Sequence, residues 1–213
     1  LSCWSLTNAQ TEKLAVQAQR EGRTVLWMGG FGELTPAQMQ TLTGMDIQPQ
    51  TGNDLGLITF RPHAESSFDY SGDLETWYLE PLYKVVSEGV ENLAVFEDGS
   101  PALSLQTVGK SRQLFYADFQ LFPELLNGVA KVAGIHRYAA GGDTYHGNGS
   151  LSVLHAKTAG VKTLRLPEAA DVYCYFTGLW RENVTEVSLS MKEAQTEYFF
   201  IGDKAALQAA GIG

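Results

Sequence analysis

Basic residues are scarce in this chain: 15 Lys and Arg stand against 24 Asp and Glu in 213 residues, a formal net charge of −9. Binding nucleic-acid phosphates takes a concentrated basic surface, so the balance argues against a nucleic-acid partner. A neutral or cationic small molecule, a sugar or another protein stays open. Cysteine is almost missing, with only Cys3 and Cys174, at opposite ends of the chain. Two distant cysteines fit no metal-ligand spacing and make no disulfide scaffold; pairing and buried free thiols both stay open. Long apolar runs are also lacking, since nothing approaches the ~18–20 residues of a membrane-spanning helix. No basic segment followed by an apolar one marks a leader, and nothing assigns a compartment. Charged residues make up only 18% while glycine is present 22 times, which points to many turns between packed elements rather than to disorder.

Local signals in the first 140 residues alternate between helix and strand. Thr7 and Gln10 form a capping box, and Leu14, Ala15 and Ala18 follow on one helical face. Gly22 suits a helix stop and Arg23–Met28 is a short apolar run of the buried parallel-strand type. After Gly29-Gly30-Phe31-Gly32 a second capping box, Thr35 with Gln38, opens a helix with Pro36 in its first turn, and Gly44 closes it. A polar loop is expected at Gln48–Asn53, a strand at Leu57–Phe60, irregular chain over Pro62–Asp73 and a short turn or strand over Leu79–Val86. A hairpin is expected about Asp98-Gly99. The stretch Gly109–Tyr138 reads as strand (Gln113–Tyr116), helix (Leu125–Val132), then strand (Ile135–Tyr138). Beyond it come short strands at Leu151–Ala156, Lys162–Leu166, Val172–Phe176, Val184–Leu189 and Thr196–Ile201, with a helical turn at Lys204–Ala210. That pattern predicts a small antiparallel β-sandwich or sheet. A boundary is expected near Gly141-Gly142, giving domains 1–140 and 141–213. The opening Leu1–Leu6, without an initiator Met, reads as the edge of a cut domain whose upstream strand is missing.

The wording of three segments carries a resemblance. EKLAVQAQREGRTVLWMGGFG resembles the helix, strand and glycine turn of class I glutamine-amidotransferase-like domains found within β-galactosidase-like glycoside hydrolases. GKSRQLFYADFQLFPELLNGVAKVAGIHRY fits the same pattern, and SLSVLHAKTAGVKTLRLPEAADVYCYFTG resembles the strand-rich end of those proteins. The resemblance implies an α/β fold: a flavodoxin-like layer, incomplete at its start, followed by the β-rich domain. It implies a non-catalytic C-terminal accessory region whose partner is an upstream catalytic (β/α)₈ barrel of the parent chain. Packing on that barrel, shaping a site rim and forming a homo-oligomer contact are the roles it suggests. Amidotransferase chemistry itself is not expected, because neither cysteine sits on a strand-to-helix elbow.

Candidate sites are few. Asp69, Asp73 and Glu75 form the densest acidic cluster, and paired carboxylates are what a glycosidase needs. Their other reading is a solvated acidic loop. Trp77 and Tyr78 beside them, and Trp180 near a turn, are candidate sugar-stacking platforms, or else aromatics that cover the sheet. These give two alternatives to the accessory reading: a carbohydrate-binding module using Trp77, Tyr78 and Trp180, or a small hydrolase using the three carboxylates. The glycine turn at Gly29–Gly32 lacks the spacing of a phosphate loop and reads as a packing turn. His136, His146 and His155 lie in or beside β-segments, at spacings that match no compact zinc motif. No cofactor and no metal is expected.

Overall fold

The computed structural model describes residues 5–50, 57–60, 72–75 and 81–213. The chain divides into two compact units, one ending at Ile135 and the other spanning His136–Gly213.

The first unit opens with α1 (Asn8–Ala18), set by its capping box: the Thr7 N–H donates to Gln10 Oε1 (2.9 Å) and the Gln10 N–H to Thr7 Oγ1 (3.3 Å). The chain turns through Gly22, at φ +73°, into β1 (Thr24–Met28). The second capping box, Thr35 with Gln38, starts α2 (Pro36–Thr43). Gly44 ends it in the left-handed region at φ +75°, and a Cβ there would collide with Val108. Then follow β2 (Ile47–Gln50), β3 (Leu57–Phe60), β4 (Gly72–Glu75), β5 (Leu82–Val85), β6 (Glu91–Phe96), β7 (Pro101–Val108), β8 (Ser111–Tyr116) and α3 (Pro123–Val132).

Six of these strands form one sheet in the order β1-β8-β7-β6-β3-β4, and β2 and β5 form a separate two-stranded ribbon. Only β1 and β8 run parallel, with Trp27 opposite Phe115; the other pairs in both sheets are antiparallel. The flavodoxin-like, amidotransferase-like α/β layer expected from the resemblance is therefore not what forms. A doubly wound sheet needs a helical crossover between successive parallel strands. Here the segment after α2 leaves the main sheet and pairs with β5. The tight turns at Asp98-Gly99 and Gly109-Lys110 then fold β6, β7 and β8 back as hairpins. The described residues are predominantly β, in 13 strands against four helices.

The core of this unit is aromatic. Phe31 stacks on Phe115 (centroids 5.6 Å, 18°) and meets Tyr83 edge-on (5.9 Å, 84°), with Trp27 fully buried beside it. Among the polar residues buried with it is Gln113, which accepts from Trp27 Nε1 (2.9 Å) and donates to Ala18 O (3.0 Å) and Ser111 Oγ (3.1 Å). A single side chain thus joins β1, β8 and the end of α1.

The second unit contains β9 (Thr144–Gly147), β10 (Leu151–His155), β11 (Gly160–Cys174), β12 (Leu179–Met191), β13 (Thr196–Gly202) and α4 (Lys204–Ala209). The strands form one antiparallel sheet in the order β12-β11-β13-β10-β9. The two short strands expected at Lys162–Leu166 and Val172–Phe176 are one strand, β11, whose register against β12 shifts between Arg165 and Val172. Pro167 falls within that irregularity, as expected of a residue with no N–H to give the ladder. No strand forms at Ile135–Tyr138. Gly134 takes φ +69° and the Ile135 N–H donates to Ala130 O (2.9 Å), so this stretch begins as the cap of α3. Tyr138 then stacks on Tyr145 (5.2 Å, 8°). A largely buried ion pair, Lys162 Nζ to Asp143 Oδ1 (2.9 Å), fixes the approach to β9.

Replacing Gln113 by Leu keeps the volume and removes every partner at once. It leaves a buried indole N–H and the Ala18 carbonyl unsatisfied, at about 1–3 kcal/mol for each such group. Urea unfolding of Gln113→Leu is expected to show a stability loss of about 2–3 kcal/mol; a loss under about 0.5 kcal/mol, the range of ordinary surface changes, would show that the residue is not a hub.

Candidate functional site

Three places bear on the residues that the sequence singles out. The first is the carboxyl end of the parallel pair β1 and β8, where open α/β sheets place ligands. Gly29 leaves β1 at φ +62°, and a Cβ there would clash with the ring of Phe119. The ring fills the space over the turn. Beside it buried Asp118 accepts from the backbone N–H of Gln120 (3.2 Å), its oxygens turned inward to shape the loop. Gly29–Gly32 is a packing turn.

The second is the acidic cluster. Asp73 and Glu75 lie on β4, at the end of the six-stranded sheet, opposite Thr59 and Leu57 of β3. Alternation puts both on one face, about 6.6 Å apart along the strand. Both are exposed, and the backbone carbonyl of Glu75 accepts from Gln120 Nε2 (2.6 Å). Asp69, Trp77 and Tyr78 lie outside the described residues.

The third is the outer face of the second sheet. Trp180 is half-buried, packs against Tyr173 (5.0 Å) and has Lys204 Nζ 5.4 Å from its ring centre, with Gly213 lying against the indole. Further along, Tyr175 and Phe176 are 55% and 59% exposed. They pack with Tyr198 at steep angles, 75° between Tyr175 and Phe176 and 88° between Tyr175 and Tyr198. Rings set edge to face offer edges as much as flat stacking faces. The sequence reading missed this cluster, although Tyr-Cys-Tyr-Phe before a Gly turn carried the signal: an apolar run that overshoots its strand.

Beneath that turn sits buried Glu197, whose Oε1 accepts from the backbone N–H groups of Phe176 (2.8 Å) and Tyr198 (3.1 Å). Cys174 is a buried free thiol close by. Burial first, then the Glu197 carboxylate, pushes its pKa up to about 11. The three histidines are dispersed: His155 Nδ1 bonds Thr196 Oγ1 (2.8 Å), His136 Nε2 bonds Arg165 O (3.0 Å) and His146 stands opposite Val153. Among the described residues no three His, Cys, Asp or Glu side chains gather as a metal site would require. No described helix is long and apolar enough to cross a membrane.

No protein-family model and no curated protein matches the chain. Solved structures do match. The beta-galactosidase from Bacillus circulans sp. alkalophilus aligns over 92% of this chain and 31% of its own, with TM-score 0.58 and 13% identity. The polyextremophilic beta-galactosidase of the Antarctic haloarchaeon Halorubrum lacusprofundi aligns over 95% and 30%, with TM-score 0.55 and 14% identity. A catalytic mutant of Gan42B, a GH42 beta-galactosidase from G. stearothermophilus, aligns over 92% and 30%, with TM-score 0.52 and 13% identity. The chain spans about a third of the length of these structures, and its fold resembles part of a β-galactosidase-like glycoside hydrolase.

The environment of Cys174 is testable in a Cys3→Ser variant, which leaves one thiol. With a pKa of about 11, about one molecule in a thousand carries the thiolate at pH 8. Ellman's reagent is expected to leave the native protein unlabelled and to label one thiol in urea. Prompt labelling of folded protein would place the thiol at the surface.

Proposed function

We propose that this chain is a non-catalytic accessory portion of a β-galactosidase-like glycoside hydrolase, packing against a catalytic domain elsewhere in a longer chain. The observation that carries this reading is the asymmetry of coverage: more than nine-tenths of this chain aligns with less than a third of each enzyme. Exposed apolar side chains support it. Phe119 (44%), Leu121 (57%) and Leu126 (49%) crowd one stretch of the first unit, and Tyr175 and Phe176 mark the second. Surfaces of this kind gain by being covered. The exposed position of Asp73 and Glu75 fits the same reading, because a catalytic acid needs an environment that sets it apart from its partner carboxylate.

Two measurements on the purified chain test it. Against a panel of nitrophenyl glycosides, β-galactoside included, no turnover above the blank is expected. A dye that reports apolar surface is expected to bind the native chain, and Leu121→Gln with Leu126→Gln to remove about half or more of that signal, as the largest exposed apolar patches on proteins mark interaction sites. Turnover abolished by Asp73→Ala or Glu75→Ala would overturn the proposal in favour of an enzyme. A dye-silent chain would overturn it in favour of a self-sufficient domain.

A further inference from the structure

A cleft of about 410 Å³ opens in the first unit between the β2–β5 ribbon and the β6–β7 turn, lined by Gln48, Pro49, Lys84, Val85, Val86, Asp98, Ser100 and Pro101 among others. Its polar wall is built around Lys84, whose side chain is only 9% exposed. Lysine is seldom this buried unless its charge is answered. Here Asp98 Oδ2 answers it at 2.8 Å, and the Phe96 ring centre lies 5.0 Å from the ammonium. Asp98 is itself held: its Oδ1 accepts from the Ser100 N–H (2.9 Å) and from the Ser100 hydroxyl. Lys84, then Ser100, lower its pKa to about 2, so it stays a carboxylate at any ordinary pH. Gln48 stands directly opposite Lys84 in the ribbon, which brings its side chain to the same face, where its amide N–H donates to Asp46 Oδ1 (2.6 Å).

We propose that this cleft binds a neutral mono- or disaccharide, whose hydroxyls bridge the Lys84 ammonium and the Asp98 carboxylate. The chemistry selects the ligand class. The pair is neutral as a whole, so an anion drawn to Lys84 meets the Asp98 carboxylate and a cation drawn to Asp98 meets the ammonium. A vicinal diol suits both, accepting from one and donating to the other. An ammonium has three N–H bonds and Asp98 takes one of them, which leaves donors at the wall. Pro49, Val85, Val86 and Pro101 give the apolar side that the C–H face of a sugar ring packs against. The size falls at the low end of small-molecule pockets, which fits one or two sugar rings rather than a long glycan. This inference does not depend on the accessory reading, since either an enzyme or a packing domain could carry the cleft.

The test is an amide-resolved NMR titration of the whole chain with galactose, glucose and lactose, and separately with inorganic phosphate and acetate at matched ionic strength. Saturable shifts are expected at Gln48, Lys84, Val85 and Asp98–Ser100, with a Kd of about 1–10 mM for at least one sugar. Lys84→Met is expected to weaken binding about tenfold or more, and the milder Gln48→Ala about threefold with an unchanged melting point, so the result does not hang on a variant that fails to fold. No saturable shift with any sugar at about 100 mM overturns the proposal. So does saturation by phosphate or acetate in place of sugar, and so do shifts confined to Tyr175, Phe176 or Trp180.

Discussion

The first unit depends on the hydrogen bonds of Gln113. An amide has both donors and an acceptor, and here they serve an indole of β1, the last carbonyl of α1 and a neighbouring hydroxyl. No apolar residue could do this, and no shorter amide could span it. The surrounding core of Trp27, Phe31 and Phe115 supplies most of the burial energy, at about 1.5–3 kcal/mol for a fully buried large apolar side chain. Burial alone is non-directional, however. The polar hub makes the parallel register of β1 against β8 specific, because a one-residue slip would leave a buried N–H without a partner.

Local sequence was a good guide where the chemistry is local. Both capping boxes, Pro36 at the start of α2 and Gly44 at its end stand where the residues said they would. The hairpin about Asp98-Gly99 and the strands ending at Tyr116 and Phe60 are in the same class. What failed was the step from elements to topology. A buried apolar run such as Arg23–Met28 is compatible with a parallel sheet of any size, and nothing in it says how many parallel neighbours it will find. Only β8 became one, because tight turns at Asp98-Gly99 and Gly109-Lys110 commit the intervening chain to antiparallel hairpins. The two short turns outweighed the helix–strand rhythm that suggested a doubly wound layer. The irregular chain expected over Pro62–Asp73 overlaps the start of β4 at Gly72-Asp73, residues of little strand propensity; pairing with β3 holds them in the strand.

The candidate chemistry was less visible, for a related reason. A motif search finds residues close in sequence, whereas Lys84, Asp98 and Gln48 come from three elements and are joined by the β2–β5 register. One signal was present. Lys84 interrupts the apolar run Leu82–Val86, and a cation in a buried strand requires an anion from elsewhere. Trp180 was noticed for being aromatic near a turn, but the half-buried indole is already met by Tyr173, Lys204 and Gly213.

A common feature of the two units is that a locally costly arrangement holds apolar surface outward. In the second, Glu197 of β13 accepts from the Phe176 N–H in the turn and from the N–H of its own neighbour Tyr198, an arrangement that ties the turn to β13 and fixes its rings where water reaches them. In the first, Gly29 accepts a left-handed backbone so that Phe119 can lie over the turn while remaining 44% exposed. Both arrangements cost stability, through desolvation of a carboxylate in one case and the entropy of a glycine in the other. A chain shaped only for its own stability would turn such rings inward. Rigid presentation of aromatic surface has its return when something covers that surface, which is the physical content of the accessory reading.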